Sequence, residues 1–149
     1  MEDMVIKRVM PNNLEAEKSV LGSMLMDKDA IVTASEILLK DDFYSQHYGV
    51  MFEAMVELYN EGMPVDPVTL QNKVIKKGLP EQFTGADRIR EILMSVPTSA
   101  NVKYYATIVN EKSMARKLIR TTEGIANECY LGNESLETIM SDTEKQIIC

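Results

Sequence analysis

The sequence predicts an all-α protein, a compact helical head followed by an αα-hairpin built on one long helix. Three observations predict it. Apolar residues recur at three- and four-residue spacing through most of the chain. No Asn-Gly or Asp-Gly pair stands between alternating runs, so the strongest hairpin-turn signal for strands is missing. From about Asn101 to Leu131 nothing interrupts a helix except Gly124.

The first helix begins at Asn12 or Asn13 and runs to about Asp27. Asn12 and Glu15 have capping-box spacing, and Glu15 and Glu17 suit the positive end of the helix dipole. Leu14, Leu21, Met24 and Leu25 make one apolar face. Ala16, Ser19, Gly22 and Ser23 make a second stripe of small residues. Gly22 costs a helix interior roughly 1 kcal/mol relative to alanine. A neighbouring helix crossing close at Gly22, within the head, accounts for it.

Asp29 can cap a second helix, with Ile31, Ala34, Ser35 and Leu38 on one side. The stretch DDFYSQHYGVMFEAMVELYNEG places Tyr48, Met51, Phe52, Met55 and Tyr59 at helical spacing, and Gly62 closes it. Asp66-Pro67 reads as an N-cap followed by proline at the first helical position. That helix carries Leu70 and Val74 and stops at Gly78. A looser stretch with Pro80 and Gly85 follows. ADRIREILMSV then puts Ile89, Ile92, Leu93 and Val96 on one face and ends before Pro97.

The long helix follows, capped by Ser99 or Thr98. About 31 residues at 1.5 Å each give a rod of roughly 46 Å. Gly132 ends it, and Ser135 can cap a partner helix to about Ile148, with Leu136, Ile139, Met140, Thr143 and Ile147 on its apolar face. The expected organisation is a flexible start at 1–11, a head at 12–97 and a hairpin at 98–149. The apolar positions of the long helix exceed what a fourteen-residue partner covers, and the surplus predicts association with another chain.

Charge within the hairpin is polarised. Lys103, Lys112, Arg116, Lys117 and Arg120 face one acid, Glu111, across residues 103–120. Lys112, Arg116 and Arg120 are spaced i, i+4, i+8 and share one face, with Lys117 beside them. Residues 121–149 hold Glu123, Glu128, Glu134, Glu137, Asp142 and Glu144 against Lys145. Charge matching within the hairpin, an acidic partner surface and nucleic acid are three readings of this basic face.

The whole chain has 149 residues and a net charge of −7, which argues against a free-standing nucleic-acid binder. Hydrophobic content of 45% and charged content of 26% suit a soluble globular protein. Eleven methionines against three phenylalanines fit irregular gaps between helices. Cys129 and Cys149 are too few for a disulfide framework or a zinc site, so a reducing cytoplasm is expected. MEDMVIKRVM lacks the apolar core of a signal peptide, and no run approaches the ~20 residues that span a bilayer.

Catalytic signals are missing. The sequence contains neither GxxxxGK[ST] nor GxGxxG. His47 is the single histidine, has no metal-ligand spacing around it, and reads as structural. Asp41 and Asp42 precede an aromatic pair and read as helix caps. The residues by themselves specify an interaction or assembly domain with no catalytic and no metal-binding residue. A small nucleic-acid-binding module using the basic hairpin face is the alternative.

Four blocks in register, NNLEAEKSVLGSML, DDFYSQHYGVMFEAM, GMPVDPVTL and VPTSANVKYYATIVNEKSMARKLI, resemble the N-terminal domain of the bacterial replicative DNA helicase, the DnaB family. The resemblance runs from about Met10 to Ile148. It implies a cytoplasmic, nucleoid-associated hexamer that unwinds duplex DNA at the replication fork. It places ATP and Mg in a RecA-like C-terminal motor absent from this sequence, so the chain is expected to be a fragment without a cofactor of its own. It implies self-pairing of hairpins within a hexameric collar, docking of the primase C-terminal helicase-binding domain, a helicase loader, DNA held by the full-length ring, and no membrane. Leu118, Ile119, Thr122, Ile125, Ala126, Glu15 and Arg88 are then the expected subunit or primase interface, with Glu17 beside Glu15. Lys112, Arg116, Lys117 and Arg120 are the expected basic face. One departure stands out: TGADRIREIL has Ala86 where relatives often place a second glycine, and Arg88 where they place an aromatic.

Overall fold

Eight α-helices and one 3-10 turn make up the regular structure of residues 8–148, the part that the computed structural model describes. They are α1 (Leu14–Met26), α2 (Lys28–Ile37), the turn Lys40–Asp42, α3 (Gln46–Asn60), α4 (Pro67–Lys76), α5 (Glu81–Thr84), α6 (Ala86–Leu93), α7 (Val102–Leu131) and α8 (Leu136–Ile148). The described residues contain no strand. The chain divides into two compact units, residues 12–113 and residues 1–11 with 114–149.

The head unit takes in the first three turns of α7. Val102, Ala106 and Val109 are buried in the same core as Leu21, Met24, Met51 and Met55. The packing division therefore falls inside α7, at Ser113, rather than at Pro97. The reason is the i, i+4, i+7 spacing of those three residues, which turns one stripe of the long helix to the head. A flexible start was expected at 1–11; its first seven residues lie outside the described ones.

Helix boundaries follow local chemistry, with several shifts. Asn13, not an Asn12–Glu15 box, caps α1: its carboxamide oxygen accepts from the Ala16 amide at 2.9 Å. Asp27, not Asp29, caps α2, accepting from the Asp29 amide at 3.0 Å. Asp66 and Thr69 form a reciprocal capping box on α4, with Pro67 at its first position. Gly62, Gly78 and Gly132 take φ values of 73°, 88° and 65° just past α3, α4 and α7. Thr98 and Ser99 do not cap α7 through their hydroxyls. The Thr98 hydroxyl accepts from the Ala100 amide, and the Ser99 hydroxyl donates to Asp27 at 3.3 Å. Ser135 does cap α8, accepting from the Thr138 amide.

Several apolar expectations move to the surface: Leu14 and Tyr59 in the head, with Leu58 buried in place of the latter, and Leu136, Met140 and Ile147 on α8. Ser35 is exposed too, turning its hydroxyl back to the Val32 carbonyl. The close crossing at Gly22 is present. A Cβ there would lie 2.5 Å from the Ile92 carbonyl oxygen and 2.7 Å from the Ser95 hydroxyl, at the end of α6. Gly49 has a similar duty, 2.8 Å from the Lys40 carbonyl oxygen.

Candidate functional site

Two surfaces stand out, one on each unit. On the hairpin unit, α7 and α8 leave much of their apolar surface uncovered. Met114, Leu118, Leu131, Leu136 and Met140 are exposed, and Tyr130 is 91% exposed. Ile139 is the buried apolar residue of α8. An amphipathic helix buries one stripe, and the apolar residues named here lie outside any stripe that the described residues cover.

Of the residues expected at an interface, Leu118, Ile119, Thr122, Ile125 and Ala126 lie on α7, whereas Glu15 and Arg88 lie on the head. Leu118 and Ala126 are exposed, and Ile119 and Ile125 are half-buried. Thr122 is exposed and donates its hydroxyl to the carbonyls of Leu118 and Ile119 at 3.0 Å each. That bond satisfies the hydroxyl within the helix and leaves its methyl to the surface.

The basic face loses a member. Arg116 is only 3% exposed, and its guanidinium donates to the Pro11 carbonyl at 2.8 Å. A buried guanidinium spends its donors on the protein, because an unpaired buried charge is expensive. Arg116 thus anchors the segment before α1 within its own unit. Lys117 and Arg120 are exposed and Lys112 is half-buried.

On the head, Glu15 and Glu17 part company. The Glu15 side chain is 84% exposed and pairs loosely with Lys18 at 3.7 Å. Glu17 is 1% exposed, and its two carboxylate oxygens accept from the amides of Tyr44 and Ser45 at 2.8 and 3.1 Å. It holds the entry to α3 from inside the head, away from the surface. Asp42 has a similar internal role. It is buried, accepts from the Leu39 amide at 2.7 Å, and accepts from the Ser113 hydroxyl of α7 at 2.7 Å.

Arg88 borders a notch of about 120 Å³ lined by Leu14, Ser45, His47, Tyr48, Met51 and Phe83. The His47 ring stacks on Phe83 with centroids 3.4 Å apart and planes 21° apart. The Arg88 guanidinium sits 5.9 Å from the Phe83 ring centre, within cation–π range. Burial pushes the Tyr48 phenol above its usual range, against the lowering effect of Lys18 and Arg88. The notch was not legible in the sequence. Phe83 lies in the stretch that read as loose, and α5 (four residues long) is what carries it to His47.

A ladder of charges on the head was also missed. Glu53 and Glu57 of α3, with Glu61 capping its C-terminus, face Lys73 of α4 and Lys77 capping that helix, at i, i+4, i+8 and i, i+4 spacing. The Lys77 hydrogen bond holds the Glu57 carboxyl below its usual range, and the Glu57 bond raises Lys77. The spacing was a visible signal, but nothing in sequence paired these two helices. Among the described residues no group of three His, Cys, Asp or Glu side chains could hold a metal ion. No described helix is long and apolar enough to cross a membrane.

Residues 9–111 match the family model described as DnaB-like helicase N terminal domain. The chain belongs to that family. It is 40% identical over 148 residues to the replicative DNA helicase DnaC of Bacillus subtilis, covering 99% of this chain and 33% of that protein. It is 37% identical over 148 residues to the replicative DNA helicase DnaB of Geobacillus stearothermophilus, again covering 99% and 33%. The chain thus spans about a third of the length of these curated relatives. Among solved structures, the N-terminal domain of DnaB helicase from Mycobacterium tuberculosis is similar with a TM-score of 0.87 and 35% identity, covering 95% of this chain and 100% of that one. The N-terminal domain of DnaB helicase from Helicobacter pylori, described with its interactions with primase, shares the fold at a TM-score of 0.68 and 22% identity, covering 78% and 90%. As a DnaB-like N-terminal domain, the chain carries both surfaces described above: the family match spans the notch, and the longer relatives also span the hairpin.

Proposed function

We propose that this chain is the N-terminal collar domain of a hexameric replicative DNA helicase, where it pairs subunits through its hairpins and docks primase. The observation that carries the reading is the uncovered apolar surface of the hairpin, centred on Leu118, Ile119, Thr122, Ile125 and Ala126 of α7. Pairing with a second copy buries such a surface on both partners at once, as a two-fold interface does. The exposed cations Lys117 and Arg120 beside the acids of residues 123–144 add charge complementarity between copies.

The family and the replicative helicases it includes support unwinding at the fork as the work of the whole protein. ATP and Mg²⁺ then act in the two thirds of the relatives that this chain does not span. The primase contact draws on the description of the Helicobacter pylori domain with its interactions with primase, and Arg88 and Glu15 are the head residues offered for it. A helicase loader, DNA within the full ring, and a cytoplasmic place at the nucleoid complete the proposal. Binding of nucleic acid by the basic face is the weaker reading, because Arg116 is buried and the net charge is −7.

Calorimetric titration with the C-terminal domain of the same organism's primase tests it. Saturable binding at micromolar or tighter affinity is expected, and loss of it in Ile119→Asp with an unchanged melting temperature. Sedimentation across a concentration series is expected to show self-association that Leu118→Asp abolishes. A chain that stays monomeric and binds no primase overturns the reading.

A further inference from the structure

One apolar stripe of α7 is covered at its near end only, and the start of the same chain is fastened beside that end. Ala115, Ile119, Thr122 and Ala126 recur at i, i+4, i+7 and i+11, so they share one face of the helix. Arg116 flanks that face, next to Ala115 and three residues before Ile119. Its buried guanidinium donates to the Pro11 carbonyl at 2.8 Å. Met10 and Pro11 are half-buried, and residues 1–11 group with 114–149 rather than with the head they lead into. Cover fades with distance from this anchor: Ala115 and Ile119 are half-buried, whereas Thr122 and Ala126 are exposed.

We propose that Met4, Val5 and Ile6 lie along this stripe in the unpaired chain, as a strap that a second copy has to displace. What the strap competes with rests on the pairing reading above; the contact itself rests on the Arg116 anchor. Residues 1–7 lie outside the described ones, and their sequence, MEDMVIK, supplies the occupant. Its three consecutive apolar residues stand five to seven positions before Pro11. At ~3.3 Å per residue they reach about 17–23 Å from the anchor. Ile119 and Ala126 lie three and ten residues beyond Arg116, or about 5 and 15 Å along the helix, so the whole stripe is within reach. Arg120 and Glu123 border the stripe with opposite charges, so apolar area sets the fit and charge does not. A short tether presents the run at a roughly millimolar effective concentration, so a weak contact suffices where a second copy is dilute.

Full-length variants test the strap. In a Cys129→Ser, Cys149→Ser background, Ile6→Cys with Ile119→Cys is expected to close an intramolecular disulfide under oxidised glutathione, read on a gel without reductant. Ile6→Cys with Leu118→Cys, about 100° round the helix, is expected to close at least fivefold more slowly. The closed 6–119 form is expected to sediment as a monomer at concentrations where its reduced form pairs. Val5→Asp with Ile6→Asp is expected to tighten self-association about threefold or more, because the stripe is then open in a larger fraction of chains. Equal closure at 118 and 119 overturns the proposal. Unchanged or weaker self-association in Val5→Asp with Ile6→Asp overturns it too, since the segment is then a bystander or part of the interface. A chain that stays monomeric at every concentration, with or without these two substitutions, overturns the pairing reading instead, and selective closure at 119 still upholds the contact.

Discussion

The head and the hairpin are made of the same kind of helix and are stabilised in different ways. The head surrounds Val20, Ala34, Ala54, Met55, Leu70, Val74 and Ile89 so fully that each is wholly buried. The hairpin unit leaves Met114, Leu118, Leu136, Met140 and Ile147 half or more exposed. Six short helices of the head point their apolar stripes at one centre, whereas two helices lying side by side can share only one seam. The head therefore closes a core of its own, and the other unit leaves much of its apolar surface exposed.

Core truncation separates the two regions most sharply. Met55→Ala removes a fully buried side chain and is expected to cost about 2–5 kcal/mol in urea unfolding. Met140→Ala on the hairpin is expected to stay within about 0.5 kcal/mol at concentrations where the chain is monomeric. Equal losses would mean that the hairpin is packed as tightly as the head. Next in size is Glu17→Ala, which strips two amides at the entry of α3 of a charged acceptor. A loss of about 3 kcal/mol is expected, and a loss below about 1 kcal/mol would show that water replaces the carboxylate.

Two glycines sharpen the contrast further. Gly22→Ala drives a Cβ into the Ile92 carbonyl, a backbone atom that cannot step aside, and is expected to cost about 1–2 kcal/mol net of the helix-propensity gain. Gly124→Ala, on α7 with open space around the position, is expected to stabilise by about 0.5–1 kcal/mol. Thermal melts of the two variants should move in opposite directions. The smallest effect belongs to the surface ladder. Glu57 has a lowered folded-state pKa, so its contribution is present above its unfolded value and is lost as pH falls through the folded one. Acidification from pH 6 to pH 3 should therefore cost the unaltered protein more than Glu57→Gln. Because the Glu57 side chain is 40% exposed, solvent screening keeps the difference below about 1 kcal/mol. Lys77 works with the opposite sign: its raised pKa loses its contribution only as pH rises through that folded value.

Much of the head was readable because its signals are local. Asp66-Pro67 and the glycines at 62 and 78 mark helix ends by backbone chemistry alone, as Gly132 does past α7 in the other unit. The crossing at Gly22 was readable as well, since a stripe of small residues has few uses besides close approach. What escaped depended on partners distant in sequence. Glu17 and Arg116 look alike in kind to their exposed neighbours Glu15 and Lys117, and only folding sends one pair inward and the other outward. The notch escaped for the same reason: His47 and Phe83 lie 36 residues apart and meet through a one-turn helix that carries no periodic signal.

The sequence by itself determined the helices, most of their ends, the family and the surplus of apolar surface on the long helix. Those properties follow from spacing and from residue chemistry within a few positions. The tertiary structure decided which charges are structural, where the head stops along α7, and that Arg88 borders an aromatic notch. Each of these depends on desolvation and on atoms brought together from separate helices, and neither is written in any single stretch of the chain.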